Sequence, residues 1–472
     1  MEIQHFSRRR FLAASLAGLT RSARAQGGPN VLFVSVDDLN DWIGCLGGYA
    51  GVKTPNLDRL AARGVLFTNA HCNAPLCNAS RASLMTGIRP STSGVYTNSQ
   101  PFRESPVLRR AVTLSQHFKA NGYRAVGAGK IYHSPFPDPA SWDDYFPSQE
   151  QNKPADPAPP RRPLNGIPDT SHFDWGPVHI NEREMGDWKV ATWVSEQLSR
   201  RHEQPLFLGC GFYRPHLPWY VPPKYFDMYP LDRIELPSVK EDDLDDVPPM
   251  GRKIARPEGD HRKVIEHGQW KKAIQGYLAS ITFADAMLGR VLDALDAGPM
   301  AKNTAVVLWS DHGWHLGEKH HWRKFALWEE ATRCVLMMAA PGVPQPGGRC
   351  GRPVSLIDIY PTLNQVCGLP ARRELEGQSL MPLLRNPAAP WDRPVLTTYL
   401  RGNHAVRDER WRYIRYADGS EELYDRQADP MEWTNLASRR DLAAEKRRLA
   451  RWLPKTDAPD SLSKPGVRET VI

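Results

Sequence analysis

Neighbouring carboxylates at the ends of two apolar runs are the first sign of chemistry in this sequence. Asp37 and Asp38 directly follow a β-branched run, and Asp311-His312 follows a second run, Ala305–Trp309. Adjacent carboxylates repel each other unless a cation or several donors compensate their charge. Turns and helix caps also favour aspartate for local reasons, so either pair alone is weak support for a metal site. The two pairs become more specific when a third motif is considered.

The third motif is an eleven-residue segment, residues 77–87, that reads Cys-Asn-Ala-Ser-Arg-Ala-Ser-Leu-Met-Thr-Gly. It resembles the signature of the type I sulfatases. In that family the cysteine is oxidised to formylglycine, an aldehyde whose hydrate attacks sulfate esters. The family usually has proline two residues after the cysteine, where this chain has Ala79. The alternative is that Cys77 is a small buried residue without a chemical role.

The resemblance also implies a set of metal ligands. They are Asp37, Asp38, Asp311 and His312, together with the formylglycine made from Cys77, and the cation polarises the sulfate. Hard oxygen ligands favour Ca²⁺, with Mg²⁺ as the alternative. Many sulfatases have asparagine where this chain has His312, and a histidine there resembles the iduronate-2-sulfatase branch. Because imidazole suits softer ions, the identity of the metal stays open.

Further residues match the family's catalytic positions. The resemblance implies that Lys130 binds a sulfate oxygen and that His133 acts on the formylglycine hydroxyl. It implies that His216 is the general acid, with a pKa expected near the operating pH. Lys324, thirteen residues after the first residue of the Asp-His pair, is implied as the second sulfate-binding lysine, and Arg81 as the residue that holds the oxygens of the hydrate. The alternatives are surface lysines and a structural histidine.

Short β-branched runs alternate with helical patterns, which indicates an α/β fold with a large, mostly parallel sheet. Active sites in such sheets lie beyond the carboxyl ends of the strands, where the motifs above are found. The resemblance implies the alkaline-phosphatase-like fold of the sulfatases. A helix is predicted to begin at Ser80-Arg81 and run to about Met85, with an N-terminus that favours anions. Other predicted strands are 31–36, 124–128, 206–212, 304–309 and 334–339, and other predicted helices are 55–63, 114–121, 188–200, 270–297 and 357–367.

The sequence changes character near residue 386. Short apolar runs separated by polar turns, including a turn at 417–420, predict an antiparallel sheet in a small α+β C-terminal subdomain. We therefore divide the chain into a catalytic domain, 26–385, and a C-terminal subdomain, 386–472. Long stretches without periodicity are predicted as loops that form lids or decorate the surface, and the last residues as disordered. The loops are 134–181 and 238–268, and the disordered tail is 456–472.

The N-terminus resembles a twin-arginine export signal. Residues 7–12 read Ser-Arg-Arg-Arg-Phe-Leu, an apolar stretch follows, and residues 23–25 form an Ala-Arg-Ala cleavage site. We expect a signal peptide over 1–25, recognition by the twin-arginine translocase, and a periplasmic or secreted protein. Residues 1–25 hold five arginines and one glutamate, so the formal charge of +8 falls to +4 after cleavage. This mild excess does not indicate nucleic-acid binding, and no apolar run is long enough to predict a membrane span.

Three functions are considered. The first is removal of sulfate from a sulfated saccharide, most specifically an iduronate-2-sulfate-like uronic acid, after a formylglycine-generating maturase has converted Cys77. The second is phosphonate or phosphodiester hydrolysis at the same site, because a cage of cations does not strictly distinguish sulfur from phosphorus. The third is non-catalytic binding of sulfated glycans by an unconverted chain. Matching site residues identify a class of reaction, whereas fold analogy alone does not identify a substrate.

Overall fold

The structure is a computed structural model that describes residues 28–151, 153–170, 172–343 and 345–466. The predicted signal peptide, 1–25, lies outside the described residues. Strands β1 to β19 are, in chain order, Asn30–Val36, Val65–Phe67, Ala70–His71, Arg124–Gly129, Asp144–Phe146, Trp175–Pro177, Leu206–Phe212, Trp219–Val221, Thr304–Ser310, His315–Leu316, Trp322–Arg323, Arg333–Cys334, Leu336–Ala339, Gly348–Cys350, Val354–Ser355, Val395–Thr398, His404–Arg407, Trp411–Arg415 and Glu421–Asp425. Helices α1 to α13 are Pro55–Ala61, Cys77–Thr86, Pro90–Ser93, Leu114–Ala120, Gly186–Leu198, Pro223–Phe226, Pro249–Ala255, Asp260–Glu266, Trp270–Ala297, Glu329–Thr332, Ile359–Val366, Met381–Arg385 and Ala443–Ala450.

An eight-stranded sheet forms the centre of the fold, in the order β14-β2-β13-β9-β1-β7-β4-β5. Strand β1 pairs in parallel with β7 and β9, and β4 pairs in parallel with β5 and β7. Strand β13 runs antiparallel to both of its neighbours. The predicted large, mostly parallel sheet is confirmed.

Both faces of this sheet are covered, as the continuous apolar runs of its central strands require. Along β1, Val31 and Phe33 belong to the core on one face, whereas Leu32 and Val34 belong to the core on the other. The long helix α9 lies on the second face, and its middle, residues 276–285, is buried on all sides. The first face is covered by elements that include α2, which begins at Cys77. The sheet thus gives the residues at its carboxyl edge a rigid support.

Central elements match the predicted ranges best, and one predicted strand is wrong. Strand β7 and helix α9 have the predicted ends. The predicted strand 334–339 is instead two strands in different sheets, β12 beside β3 and β13 beside β9. Between them, the backbone N–H of Val335 donates to the Ser310 hydroxyl at 2.8 Å, and its carbonyl accepts from the Ser310 N–H at 3.0 Å. A side chain of β9 therefore interrupts the run.

Three predictions of irregular structure are also wrong in part. The region 134–181 contains the short strands β5 and β6, of which β5 pairs with β4. The region 238–268 contains helices α7 and α8, whose charged residues hide the apolar period in the sequence. The described part of the tail is ordered along residues 91–99: Ala458, Ser461 and Lys464 donate backbone hydrogen bonds to carbonyls of that segment at 2.7–2.8 Å. The tail residues 467–472 lie outside the described part.

The C-terminal sheet is antiparallel, in the order β16-β17-β18-β19, as predicted. It has its own apolar cluster, to which α13 contributes Leu449. In the predicted turn, Tyr416 N–H donates to the Ser420 carbonyl at 2.9 Å, and Gly419 has a φ of 84°. The domain boundary at 385/386 stays a prediction. Among the described residues, no helix has the length and apolar character of a membrane span.

Candidate active site

The candidate residues converge on the carboxyl edge of four adjacent parallel strands, β9, β1, β7 and β4. Asp37 follows β1, Lys130 follows β4, and Asp311 follows β9, while His216 lies four residues beyond β7. Gly129 ends β4 with a φ of 76°, and a Cβ there would lie 1.9 Å from the Gly211 carbonyl oxygen. Glycine therefore lets β4 approach β7 closely where Lys130 leaves the sheet.

Cys77 is the first residue of helix α2, so the prediction that this helix begins at Ser80-Arg81 is wrong. Leu76 precedes the helix in an extended conformation, and the backbone turns into the helix at the cysteine itself. Cys77 is only 1% exposed. The Ser80 hydroxyl donates to the Asp311 carbonyl at 2.5 Å, which ties the first turn of α2 to the end of β9. The helix thus presents Cys77 directly to the edge of the sheet.

Four side chains form a buried cluster of potential metal ligands: Asp38, Cys77, Asp311 and His312, whose ligand atoms all lie within 4.8 Å of one another. His312 Nε2 lies 3.3 Å from Asp38 Oδ1, 3.4 Å from Asp311 Oδ2 and 3.5 Å from Cys77 Sγ. The Nδ1–H of His312 donates to the Gly313 carbonyl at 2.9 Å, an arrangement that leaves Nε2 as the coordinating atom.

The cluster has the chemistry that a cation requires. Asp38 Oδ2 is buried and has no hydrogen-bond partner among the described residues. Burial and the charges of Asp37 and Cys77 raise the pKa of Asp38 to about 7, against the opposing effect of Lys324. A buried carboxylate that is costly to ionise and has an unpartnered oxygen fits a site completed by a divalent ion.

Asp37 is held differently. The Arg81 Nη2–H donates to Asp37 Oδ1 at 2.8 Å, and Lys130 Nζ donates to Oδ2. Burial raises the pKa of Asp37, but Lys130 and Arg81 outweigh it and hold the pKa well below its usual range. Asp37 groups with Asp38, Cys77 and His216 rather than with Asp311 and His312. The predicted ligands therefore form two overlapping groups that share Asp38 and Cys77.

Arg81 is buried, and its guanidinium links three strand ends. Besides Asp37, it donates from Nε to Asp311 Oδ2 at 3.0 Å and from Nη1 to the Lys130 and Ile131 carbonyls at 2.6 and 3.1 Å. None of its hydrogen bonds among the described residues reaches Cys77. The role predicted for Arg81, holding the hydrate's oxygens, stays a prediction, and the structure gives it a positioning role.

Two lysines flank the Cys77 sulfur. Lys324 Nζ lies 2.9 Å from Sγ and 2.7 Å from Asp38 Oδ1, and Lys130 Nζ lies 3.9 Å from Sγ. Burial alone would raise the pKa of the Cys77 thiol, but Lys130 and Lys324 lower it below its ordinary value. The neighbours of Lys324 in the chain, Arg323 and Phe325, have φ angles of 74° and 75°. This left-handed backbone is costly for such residues and is kept by the packing around the lysine.

The two predicted histidines complete the site and are neutral in this arrangement. The Nδ1–H of His216 donates to the Leu217 carbonyl at 2.6 Å, and Nε2 lies 3.8 Å from Asp38 Oδ2. Burial, Lys130 and Lys324 lower the pKa of His216 well below its ordinary value, and the expectation of a pKa near the operating pH during catalysis stays a prediction. Burial and Lys130 have the same effect on His133, whose Nδ1 is buried without a partner among the described residues.

A cavity of about 770 Å³ opens above Cys77. Its walls include Tyr213 and Trp314, which lie near His216 and His312 in the chain, and residues that the sequence did not single out: Asn98, His172, Arg256, Lys263 and Tyr399. The Tyr213 ring packs on His216 with centroids 4.6 Å apart and lies 5.2 Å from Lys130 Nζ. No local pattern marks these last five residues, because segments distant in the chain bring them together.

The fold and the site define a hydrolase class in which a cysteine at a helix start lies inside a cage of carboxylates, lysines and histidines. A family model described as sulfatase matches residues 29–369, and one described as N-sulphoglucosamine sulphohydrolase, C-terminal, matches 317–458. The chain belongs to the sulfatase family, whose members hydrolyse sulfate esters. Its sheet and helices are those of the sulfatase and alkaline-phosphatase-like fold.

Individual relatives span most of the chain. A sulfatase of Formosa agariphila is 43% identical over 445 residues, covering 91% of this chain and 87% of that protein. The iduronate 2-sulfatase of Mus musculus is 30% identical over 397 residues, covering 72% and 69%. Among solved structures, the phosphonate monoester hydrolase of Agrobacterium radiobacter matches with a TM-score of 0.73 and 26% identity, covering 90% of this chain and 94% of that one.

Proposed function

We propose that the chain removes sulfate from a sulfated saccharide, most specifically an iduronate-2-sulfate-like uronic acid. The reaction uses a formylglycine made from Cys77 by a maturase and a divalent cation. The 30% identity with the mouse iduronate 2-sulfatase supports the substrate class. The observation that carries the proposal is the buried cluster of Asp38, Cys77, Asp311 and His312 with Lys324 against it. This cluster combines a nucleophile position, cation ligands and an anion-binding lysine.

The proposed cation ligands are Asp37, Asp38, Asp311 and His312, with residue 77. Carboxylate oxygens favour Ca²⁺, with Mg²⁺ as the alternative. When bound, the ion polarises the sulfate and neutralises its charge. Among the carboxylate oxygens of the cluster that the structure describes, only Asp38 Oδ2 lacks a hydrogen-bond partner. Lys130 and Arg81 hold Asp37 ionised, as a ligand requires.

Lys130 and Lys324 are proposed to bind the sulfate oxygens. A sulfuryl group in transfer keeps negative charge on its oxygens, and prearranged cations stabilise that charge in the transition state. Both ammonium groups already lie within 4 Å of the Cys77 sulfur. Formylglycine at this position supplies, as its hydrate, one hydroxyl to attack sulfur and a second to expel the sulfate later, which divides one difficult step into two.

The histidines are proposed to move the protons. His216 donates one to the oxygen of the leaving sugar, and His133 acts on a hydroxyl of residue 77. Both are neutral here because burial and the lysines disfavour the imidazolium. A bound sulfate ester brings negative charge beside the lysines, offsets their effect and raises the histidine pKa values toward the working range.

The test is sulfate release from a disaccharide that ends in 2-O-sulfated iduronate. The protein is co-expressed with a formylglycine-generating enzyme, and the mass of the peptide that contains Cys77 reports conversion. We expect sulfate release by the converted protein and none by Cys77→Ala. A fully converted protein that releases sulfate from no sulfated saccharide would contradict the proposal. An unconverted peptide would instead favour non-catalytic binding of sulfated glycans.

A second candidate is phosphonate or phosphodiester hydrolysis on the same residues. It is favoured by the 26% identity and TM-score of 0.73 with the phosphonate monoester hydrolase of Agrobacterium radiobacter. Comparing kcat/KM on an aryl sulfate and on an aryl phosphodiester separates the two functions. A clear preference for the phosphodiester would make this candidate the primary activity.

We also propose export through the twin-arginine translocase to the periplasm or the medium. The Ser-Arg-Arg-Arg-Phe-Leu segment of residues 7–12 supports it. Cell fractionation of the intact chain, with Arg8 and Arg9 replaced by lysine as the control, tests this proposal. Retention of both proteins in the cytoplasm would contradict it.

A further inference from the structure

The cationic side chains that line the cavity above Cys77 differ in the ion pairs and hydrogen bonds that they make. Lys324 is paired with Asp38, and Arg323 is paired with Asp260 at 2.5 Å. Lys263 donates to the Asp169 carbonyl at 3.4 Å. The guanidinium of the remaining cation, Arg256, has neither a hydrogen bond nor an ion pair within the described part of the chain, and the residue is exposed. An uncompensated arginine on a cavity wall is available to a ligand.

The backbone holds Arg256 in a conformation that its side chain disfavours. Arg256 ends helix α7 in the left-handed region, with φ 50° and ψ 57°. Its N–H donates to the Arg252 carbonyl at 3.1 Å, and its own carbonyl accepts from Gly259 at 2.8 Å. Glycine is the usual residue at this position of a helix end, because a Cβ is penalised there. An arginine kept at such a position on a cavity wall indicates a role for its side chain.

Tyr399 lines the same cavity from the C-terminal side of the chain. Its ring packs on Phe325 with centroids 6.3 Å apart, and its hydroxyl makes no hydrogen bond to any described residue. Arg256 lines the same cavity, so the guanidinium and the tyrosine hydroxyl both face the space above Cys77. An unpartnered hydroxyl and an unpaired guanidinium that line one cavity are two donors available to a ligand there.

We propose that Arg256 and the Tyr399 hydroxyl bind a carboxylate of the saccharide whose sulfate ester lies at Cys77. This subsite rests on the proposed function, and it makes the chain selective for sulfated sugars that carry a second, carboxylate group. Guanidinium matches a carboxylate with two parallel N–H···O bonds, and a tyrosine hydroxyl adds a third donor. Lys263 adds positive charge to the same cavity.

The aromatic residues that line the cavity raise the question of a positively charged substrate, which the charge of Arg256 disfavours. Tyr213, Trp314, Phe325 and Tyr399 line it, and aromatic rings can surround a quaternary ammonium group. The uncompensated charge of Arg256 repels such a group. A small sulfate ester with an ammonium group, such as choline sulfate, is therefore expected to be a poor substrate.

The test compares two substrates and a matched pair of variants. The substrates are the disaccharide with a 2-O-sulfated uronate and its carboxyl-reduced analogue. We expect the wild-type protein to prefer the carboxylate by about 10- to 100-fold in kcat/KM, the range for one charged hydrogen-bonded group. Arg256→Gln removes most of that preference and leaves the reduced analogue unaffected. Arg252 is an exposed cation one turn earlier on the same helix and does not line the cavity. We expect Arg252→Gln to keep the preference for the carboxylate.

A second variant separates substrate binding from structure. Arg256→Gly places the favoured residue in the left-handed position, so we expect an unchanged or higher melting temperature together with the loss of carboxylate preference. Tyr399→Phe is expected to lose a smaller part of the carboxylate preference, about 3- to 10-fold in kcat/KM. Equal losses on both substrates, or an Arg256→Gly protein that keeps the preference, would overturn the subsite.

Binding to an inactive protein distinguishes failure of the subsite from failure of the proposed activity. In a Cys77→Ala background, titration calorimetry with the 2-O-sulfated uronate is compared with and without Arg256→Gln. Weaker binding of the double variant supports the subsite even if no sulfate is released by the converted enzyme. If the double variant binds the uronate equally well, the subsite is refuted. The same titration is made with a neutral sugar that carries two sulfate groups. If Arg256→Gln weakens binding of that sugar but not of the uronate, the carboxylate assignment is refuted.

Discussion

Arg81 shows how one side chain holds the ends of three strands together. Its guanidinium donates to Asp37 after β1, to Asp311 after β9 and to the carbonyls of Lys130 and Ile131 after β4. The side chain and both carboxylates are fully buried, so removing its donors leaves carboxylate oxygens buried with fewer hydrogen bonds. Arginine suits this position because its planar fork serves several acceptors in fixed directions, which the single ammonium of lysine cannot do.

Lysine keeps the positive charge of Arg81 but cannot serve all of these acceptors. We therefore expect Arg81→Lys to lose much of its activity although the charge is retained. With the three strand ends no longer linked, sulfatase kcat is expected to fall at least about 100-fold, the usual effect of small misplacements in an active site. The free energy of unfolding is expected to fall by about 2 kcal/mol, because buried carboxylate oxygens lose donors. Steady-state kinetics and urea denaturation measure both. Arg110→Lys, at an exposed position, is the control. Wild-type kcat in Arg81→Lys would contradict this role.

At the residue scale, the sequence predicted the centre of the site but not its walls. Asp37 and Asp311 were found because each directly follows an apolar run, and Lys130 through its resemblance to the family's motif; all three lie at carboxyl ends of parallel strands, which meet at one edge. Arg256 and Tyr399 carry no such signal. Arg256 ends α7 and Tyr399 follows β16, and both line one cavity, an arrangement that no sequence period records.

At the scale of elements, a single carboxylate joins two helices on one face of the sheet. Asp285 in α9 accepts hydrogen bonds from the Asn56 and Leu57 N–H groups of α1 at 3.0 and 2.7 Å, and from Asn56 Nδ2 at 2.8 Å. It serves as the N-terminal cap that Thr54 does not supply. Burial raises the pKa of Asp285 to about 6, although these donors oppose the rise.

This raised pKa makes stability depend on pH in a defined direction. The folded chain holds the Asp285 proton more tightly than the unfolded chain, so the stabilisation is complete below about pH 4 and is lost as the pH rises to about 6. Asp285→Asn has no proton to lose. Relative to this variant, the wild-type protein is expected to lose about 2–3 kcal/mol over that range and to change no further up to pH 8. Urea denaturation of both proteins at several pH values measures the difference. A difference that stays constant from pH 4 to 6 would contradict the prediction.

The elements that the sequence predicted well are those with one strong local pattern. Strand β7 and helix α9 have the predicted ends because their apolar runs are continuous or strictly periodic. The run 334–339 is equally apolar, but its split depends on a hydrogen bond from Val335 to Ser310, far away in the chain. Helix α8 was missed because only His261 and Val264 of its seven residues are buried. Tertiary contacts decide such segments.

At the scale of the whole molecule, a buried group of charges attaches the C-terminal sheet to the catalytic part. Arg412 of β18 is fully buried and donates to Glu432 at 2.6 Å, to the Leu327 carbonyl at 2.9 Å and to Glu329. Leu327 and Glu329 follow Lys324 by only a few residues. The C-terminal sheet therefore supports the segment that carries the proposed sulfate-binding lysine, and the catalytic part depends on it.

The last prediction follows from this attachment. Arg412→Ala leaves Glu329 and Glu432 with one partner fewer in a buried setting, and removing one member of such a group typically costs about 3–5 kcal/mol. We expect a lower melting temperature and a loss of kcat as the Lys324 segment loosens, since both effects come from one contact. The matched control is Arg410→Ala, directly before β18, which breaks an ion pair with Asp425 of β19. Because the Arg410 side chain is 52% exposed, we expect little change in stability or kcat from this variant. If Arg412→Ala lowers stability but leaves kcat on the sulfated disaccharide intact, the C-terminal sheet stabilises the fold without positioning Lys324.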